Sequence, residues 1–515
     1  MASDRFSFKR TRTAIGAALT APTIMLTPVN NVDRAHGELP VTIATYATDI
    51  PTNPDVLLSG YKWKKKDPAD TSPLIITYQF LATDTSKGAK KDAVITKPYT
   101  AAQQLAFKQA TEEFERFANI KFVEFYQGVK TNAADIDPDK PMLVATTQTK
   151  LWGWSRGKIV EAYGTAGYPY QEGQTNNVPH NILPALSKPE MSMPEAAKSL
   201  EHHVIRHEIG HNLGLKHPAD TLPTNAFTIQ QAQDSVETSI MSNSWNVAQS
   251  QFGKEKRLVK REEGYFASGL MPLDAAALQK MYGANTHYVM GADTHYFGNA
   301  NETRTLWNGG KPYTLDARAF NGTNETEIVL DANPGRVSIV GKEVAFNPLD
   351  AQVTVLRGSK NGIINFKGSE KGGTRFEGGD GFNLFECSGK GNVVVSPASA
   401  KGNYIAAYPG TEVVFEGFDV VKDKIMFPYP KPSTVTAWRD GNDMTVEMRM
   451  GRSDSARITL KNFKGKAEDL AVVHVNSADV NTAPLDQFKY KTVTESALPG
   501  WLQRTSRRND TPPTR

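Results

Sequence analysis

The chain has 515 residues, a formal net charge of +4 and one cysteine, Cys387. This length predicts two or three domains, and the single cysteine excludes an internal disulfide framework. No apolar run approaches the ~20 residues that a membrane-spanning helix needs. Residues 1–39 sum to +2 and residues 481–515 to +3, which leaves −1 for the rest. The charge therefore lies at the ends, and no nucleic-acid-binding domain is indicated.

Both ends of the chain have the composition of segments outside a folded core. Lys9, Arg10 and Arg12 precede a mildly apolar segment that threonines and prolines interrupt. We expect residues 1–39 to be a disordered leader, a propeptide or a signal peptide. Residues 481–515 finish basic and proline-rich, and we expect a disordered tail there.

Strand-like and helical patterns alternate between residues 40 and 150. Residues 74–80, 120–125 and 142–145 are predicted to form strands. Thr100 is the predicted N-cap of a helix that ends near residue 118. Residues 150–190, rich in Gly, Pro, Asn and Tyr, predict a long irregular surface loop. The helix is expected to bury one apolar face, formed by Leu105, Phe107, Ala110, Phe114 and Phe117.

A cluster of histidines lies between residues 201 and 218. On a helix, His207 and His211 lie one turn apart on the same face, so both imidazoles can bind one metal ion. Gly214 permits a turn that brings His217 round as a third ligand, and Glu208 can reach a water molecule rather than the metal. Three protein ligands leave one position open, which is typical of a catalytic zinc site. The full pattern is H-E-x-x-H-x-x-G-x-x-H.

Two further histidines leave the choice of ligands open on spacing alone. His203 lies four residues before His207 and therefore on the same helical stripe as His207 and His211. Only the pair at 207 and 211 has both the glutamate and the Gly-x-x-His extension. We therefore predict that His202 and His203 are neighbours of the site. The alternative, a polar helix with solvated histidines, does not explain the long motif.

Beyond the motif, the pattern continues with one helix and then becomes β-rich. Met241 follows His217 at the distance expected for a Met-containing turn beneath a zinc site, and a helix from about residue 272 is predicted to close the first domain near 285. Glycine-containing repeats then begin at 358, 368, 378 and 388 and predict a small parallel β-roll with stacked apolar residues. Four later strands, at 412–415, 435–438, 444–448 and 456–460, are expected to form a closing sheet.

The zinc motif with its downstream methionine resembles the metzincin metallopeptidases, and flanking stretches resemble the serralysins in particular. These stretches are residues 58–63, 76–80, 100–104, 118–122 and 274–285, with weaker similarity to about 465. The resemblance implies an α+β metzincin zinc-protease domain at 40–285, followed by an all-β C-terminal domain at 286–480 that is a degenerate parallel β-roll or sandwich. It also implies a secreted zinc endopeptidase acting on protein or peptide substrates, which we expect to be a monomer.

Three departures from the serralysin pattern are present. Asn243 stands where the family has a tyrosine that binds zinc and steadies the transition state, although an amide can still donate a hydrogen bond. Asn383 replaces the aspartate of the repeat G-G-x-G-x-D-x-U-x, so Asp380 and Asn383 are candidates for a weak calcium site only. Asn308 likewise replaces an aspartate. The chain also ends basic rather than apolar, which leaves the export route open.

Two hypotheses of different classes follow. The first is a zinc endopeptidase in which Glu208 is the general base. The second is a catalytically weak or inactive binding or structural protein that keeps the protease fold, as Asn243 and the altered repeats suggest. The intact motif around Glu208 favours the enzyme.

Overall fold

The computed structural model describes most of the two predicted domains. The described residues are 53–65, 67–80, 96–124, 142–145, 147–148, 152–155, 158–161, 166–169, 180–182, 200–230, 234–236, 238–243, 267–298, 302–323, 326–398, 400–427, 434–450 and 454–474. The predicted leader and tail, residues 1–39 and 481–515, lie outside them. None of the helices in these ranges is long and apolar enough to cross a membrane.

The first part of the chain combines a parallel sheet with helices. Its sheet has the strand order β3-β1-β4-β8, and all three pairings are parallel. Two short pairs, β2 with β5 and β6 with β7, are antiparallel. The elements are β1 (Leu74–Phe80), β2 (Thr96–Lys97), α1 (Ala101–Phe117), β3 (Ile120–Glu124), β4 (Met142–Ala145), β5 (Thr147–Gln148), β6 (Trp152–Ser155), β7 (Lys158–Glu161), β8 (His180–Ile182), α2 (Leu200–Asn212) and α3 (Pro272–Tyr282).

Helix α1 begins where its capping residue predicts. The Thr100 hydroxyl accepts from the Gln103 amide at 3.3 Å, and the Gln103 side chain accepts from the Thr100 amide at 2.8 Å. This reciprocal pair satisfies two backbone donors that the first turn leaves without partners. The predicted apolar face is buried except at Leu105, where the prediction is wrong: this side chain is 58% exposed. The buried stripe runs instead through Ala106.

The predicted irregular loop at 150–190 contains regular structure in its described parts. Strands β6 and β7 form a hairpin in which Trp152 pairs with Glu161. Strand β8 adds to the edge of the parallel sheet beside β4. Each of these strands has only three or four residues. A stretch that short shows little alternation of apolar and polar residues, so the frequent Gly, Pro and Asn residues around it dominate the sequence pattern.

After residue 286 the described chain is β-rich, as predicted. It forms two nine-stranded sheets, and neither closes into a barrel. Consecutive strands from β15 to β22 alternate between the two sheets with parallel pairing, so the chain coils. The strands are β9 (Thr294–Tyr296), β10 (Thr303–Thr305), β11 (Tyr313–Asp316), β12 (Glu327–Asp331), β13 (Val337–Val340), β14 (Glu343–Phe346), β15 (Val353–Arg357), β16 (Ile363–Lys367), β17 (Arg375–Glu377), β18 (Phe382–Cys387), β19 (Asn392–Val395), β20 (Gly402–Ala407), β21 (Glu412–Glu416), β22 (Lys424–Phe427), β23 (Thr434–Asp440), β24 (Asp443–Met450), β25 (Asp454–Leu460) and β26 (Val472–His474).

The four later strands do not form a sheet of their own. β23, β24 and β25 are antiparallel neighbours, and β25 pairs in parallel with β21, so they extend one of the two large sheets. Between the sheets, phenylalanines from successive coils pack together. The rings of Phe366 and Phe385 stack at 4.9 Å, and Phe415 follows at 6.2 Å from Phe385.

The hydrophobic core of the first part continues past residue 285. Trp307 and Phe346 belong to the same buried cluster as the helices α1 and α3. The Trp307 ring lies 6.5 Å from Phe117, and its indole nitrogen donates to the Asn285 carbonyl at 2.8 Å. One continuous core therefore crosses the predicted domain boundary near residue 285. The position of that boundary stays a prediction.

Candidate metal centre

Helix α2 carries the first two motif histidines, and a glycine turn carries the third. Gly214 has φ of +97°, and a Cβ at this position would lie 2.1 Å from the Tyr61 carbonyl oxygen. Only glycine avoids both the left-handed strain and this contact. The Gly214 carbonyl accepts from the Ser59 amide at 2.9 Å, so the turn is tied to the segment before β1.

The three motif histidines converge on one point. The Nε2 atom of His217 lies 3.1 Å from that of His207 and 3.2 Å from that of His211. Two nitrogens that bind zinc at about 2.0–2.1 Å with a tetrahedral angle lie about 3.4 Å apart, close to both distances. Within the described ranges this is the one group of His, Cys, Asp or Glu side chains placed to hold a metal ion. His202 and His203 are buried nearby but are not part of it.

The other ring nitrogen of each histidine faces an acceptor. The Nδ1 atoms of His207 and His211 lie 2.9 Å and 2.8 Å from the carbonyls of Ile240 and Leu215. An Nδ1–H that donates outward leaves the Nε2 lone pair free for a metal. Lone pairs facing each other at 3.1 Å repel unless a cation lies between them, so this donor set fits a zinc ion.

Burial keeps two of these histidines neutral. Desolvation, and then the charges of neighbouring histidines, lower the pKa of His207 to about 3 and hold the pKa of His211 well below its usual range. Neutral imidazole is the form that binds a metal. These two histidines are therefore ready to bind a cation without first losing protons near neutral pH.

Glu208, which directly follows His207 in sequence, is a buried carboxyl. Burial raises its pKa to about 8, and its Oε2 atom has no hydrogen-bond partner within the described residues. A cation held by the histidines would lower this pKa again, because an opposite charge favours the ionised form. Leaving a buried carboxyl oxygen unpaired is costly, so such a group is a candidate for a functional role.

Met241 lies beneath helix α2 in a turn that a buried carboxylate holds. A Cβ at Gly210 would lie 2.5 Å from the Met241 sulfur, so the glycine allows this close approach. The Asp274 carboxylate accepts from the Ser239 hydroxyl at 2.5 Å and from the amides of Ile240 and Met271 at 2.9 Å each. Burial raises the pKa of Asp274 to about 7, against the effect of these bonds.

Comparison with known proteins finds several metalloproteases among the similar sequences. Serralysin A of Dickeya chrysanthemi is 26% identical over 287 residues, which cover 52% of each chain. A serralysin of Photorhabdus laumondii is 24% identical over 326 residues, 59% of each chain. Metallopeptidase AprA of Pseudomonas marginalis is 27% identical over 299 residues, 54% of this chain and 57% of the relative. The chain is a distant relative of the serralysins. It matches about half to three-fifths of the length of these curated relatives, and no protein-family model matches it.

Asn243, which the sequence predicts at the position of the serralysin tyrosine, is exposed. It lies two residues after Met241. A different tyrosine, Tyr168, meets the edge of the His211 ring at 5.6 Å between centroids. Burial, with the charge of Asp220, raises the pKa of Tyr168 to about 12, so its phenol keeps its proton.

The two candidates for calcium ligands of the serralysin repeat have different surroundings. Asn383 is buried, and its amide nitrogen donates to the Gly379 carbonyl and to the Asn403 side chain at 2.9 Å each. Its oxygen accepts from the Gly379 amide at 2.9 Å. Asp380 is half-buried. The amide group of Asn383 thus makes hydrogen bonds of its own to neighbouring turns of the chain.

Two side chains behind His217 are not indicated by the motif. Asp220 accepts from His217 Nδ1 at 2.8 Å, and this bond is the largest influence that lowers the pKa of Asp220. Lys216 is fully buried. Burial lowers the pKa of its ammonium, and the Asp220 charge works against this. The short spacing from His217 could have suggested Asp220, whereas the partners of Lys216 lie far away in sequence.

Proposed function

We propose that this protein is a zinc-dependent endopeptidase of the serralysin-like metzincin kind, with a protease domain at 40–285 and a degenerate β-roll at 286–480. The observation that carries the proposal is the convergence of three Nε2 atoms, together with a buried carboxyl, Glu208, that directly follows the first ligand in sequence. His207, His211 and His217 would hold the ion, and Glu208 lies next to the first of them. Relatives named serralysin and metallopeptidase support the same reading.

When bound, zinc supplies a Lewis acid that polarises a carbonyl oxygen and makes water a nucleophile near neutral pH. Glu208 removes the proton of the attacking water and then delivers it to the amine that leaves as the peptide bond breaks. The acceptors at Ile240, Leu215 and Asp220 keep the ligand rings in one orientation. The Asn243 amide is a candidate donor to the charge that develops on the carbonyl oxygen.

The wider setting is part of the same proposal. We expect protein or peptide substrates, an extracellular location and a monomeric protein that binds no nucleic acid. Calcium binding at Asp380 and Asn383 is expected to be weak, because an amide lacks the charge that gives calcium sites their affinity.

A Glu208→Gln variant tests the mechanism. General acid–base catalysis is worth about 10²–10⁴-fold, so casein digestion should fall by that factor while one zinc per chain remains bound. A Glu327→Gln variant is the control, since burial also raises the pKa of Glu327, to about 7, but the residue lies on β12. A Glu208→Gln variant as fast as the parent would show that the mechanism is wrong.

The second candidate function, a binding protein without turnover, is suggested by Asn243, but the protease relatives do not favour it. The same preparations separate the two functions. Zinc bound at one per chain, together with no digestion in a zymogram with or without a chelator, supports the binding protein. Digestion that a zinc chelator abolishes supports the enzyme.

A further inference from the structure

The buried ammonium of Lys216 lies next to His217 and has a complete set of partners. Its Nζ atom donates to the carbonyls of Val56 at 2.7 Å, Asp220 at 2.7 Å and Phe227 at 2.8 Å. An ammonium has three N–H donors, so these three short bonds use all of them, and the longer contact with the His217 carbonyl at 3.4 Å shares one of the three. The side chain is fully buried. Such a charge is kept inside a protein only when its hydrogen bonds are made.

The three carbonyls belong to two segments that are far apart in sequence. Val56 precedes β1, Asp220 follows the third motif histidine, and Phe227 lies near the far end of the same loop. The main chain adds two supports, since the Lys216 amide donates to the Leu57 carbonyl at 2.7 Å and the Ile229 amide donates to the Pro218 carbonyl at 2.9 Å. The ammonium thus joins both ends of the loop at 217–229 to the segment at 53–59, and between those ends Asn225 donates to the carbonyls of Asp55 and Leu58.

Asp220 connects this ammonium to the metal site. Its main-chain carbonyl accepts from Lys216, while its carboxylate accepts from Nδ1 of His217 at 2.8 Å. The carboxylate is partly exposed, with 46% of the side chain accessible, so by itself it would hold the imidazole loosely. Fixing the backbone of Asp220 restricts where its carboxylate can lie, and therefore where Nε2 of His217 points.

We propose that Lys216 is a positioning residue that fixes the loop carrying His217 before any metal binds. This inference rests on the proposed zinc site, because Lys216 would act by positioning His217, one of the three proposed zinc ligands. The other two ligands lie on helix α2 and need no such support. The third lies beyond the turn at Gly214, where the helix no longer determines its place.

Zinc affinity measured by competition with a chromogenic chelator tests the proposal. Lys216→Met keeps the length of the side chain but leaves three carbonyls without a donor. Loss of a group that orients a metal ligand typically costs about 10–100-fold in affinity, and we expect a loss in that range. Lys367→Met, which removes another buried lysine, on β16 in the roll, should leave zinc affinity within about twofold of the parent. A folded Lys216→Met protein with the parent's affinity would overturn the proposal.

Hydrogen exchange on the unaltered protein gives a second test that needs no variant. In the zinc-free protein, the amides of Asp220 and Ile229, which donate to His217 and Pro218, should already be protected, because the ammonium holds the loop. Exchange at unprotected rates without zinc, with protection only after zinc is added, would overturn the proposal.

If Lys216→Met does not fold, Lys216→Gln, which keeps two donors, replaces it in the affinity measurement.

These experiments distinguish a failure of the Lys216 proposal from a failure of the proposed zinc-enzyme function. An unaltered protein that binds no zinc would refute the zinc site, whereas the exchange of the loop amides is measured without metal. An unaltered protein that binds zinc tightly, with a Lys216→Met variant that binds it equally well, would refute the role of Lys216 alone.

Discussion

Replacing Asp274 tests how the turn beneath the proposed metal site is held. In an Asp274→Ala protein, the buried amides of Ile240 and Met271 lose their acceptor. Each buried donor without a partner costs about 1–3 kcal/mol, so the free energy of unfolding should fall by about 2–6 kcal/mol. Ile240 also supplies the carbonyl that orients His207, so zinc affinity should fall as well.

An Asp274→Asn protein should be damaged less. Its amide oxygen can accept from both backbone amides, but its NH₂ group faces the Ser239 hydroxyl, which donates to the carboxylate in the parent. We expect a loss of about 1.5–3 kcal/mol, the size of one hydrogen bond to a charged group. The order of stability is therefore parent, Asn variant, Ala variant.

Urea unfolding of the zinc-free proteins measures these losses from the midpoints, provided that the slopes agree. Asp316→Ala is the control, because Asp316 is a buried carboxylate on β11 paired with Arg318. It should lower stability without changing zinc affinity. An Ala variant within about 0.5 kcal/mol of the parent, below the usual cost of one unpaired donor, would refute the reasoning, as would an Asn variant as unstable as the Ala variant.

Three further predictions concern the turn, the roll and calcium. Gly214→Ala should destabilise the protein by about 3 kcal/mol or more in urea unfolding. The alanine would suffer both the strain of a left-handed backbone conformation and a clash of its Cβ with the Tyr61 carbonyl. A loss below about 1 kcal/mol contradicts this. Burial raises the pKa of Asp423 to about 6 from 3.8, so the native state keeps a proton that the unfolded chain has lost. Stability from this group should fall between pH 4 and pH 6, and Asp423→Asn should remove that part of the slope. A calcium-selective chelator should shift the melting temperature by less than about 2 °C, the effect of under 1 kcal/mol, and a shift of many degrees would show that calcium supports the fold.

The sequence predicts what short-range geometry decides. The capping box at Thr100 and the four-residue spacing of His207 and His211 need only local helix geometry, and both appear in the structure as expected. Leu105 is apolar, which predicts a place on the buried face, but tertiary packing decides which stripe of a helix is covered.

Partners that lie far apart in sequence are not predictable in the same way. Lys216 meets the Val56 carbonyl across 160 positions, and Asp274 meets Ile240 across 34. No spacing rule connects such pairs, because the fold alone brings them together. From sequence alone, a lysine next to a proposed metal ligand is therefore predicted to be exposed, because lysines are mostly exposed in proteins.

The core that runs past residue 285 makes the two halves of the molecule thermodynamically interdependent. Trp307 is 2% exposed and packs with α1 and α3, and an aromatic side chain of this kind covers about 150–250 Å². A chain cut after residue 285 would present that apolar surface to water and would tend to aggregate. Cleavage between the halves should therefore precipitate the protein rather than release a stable, independent fragment.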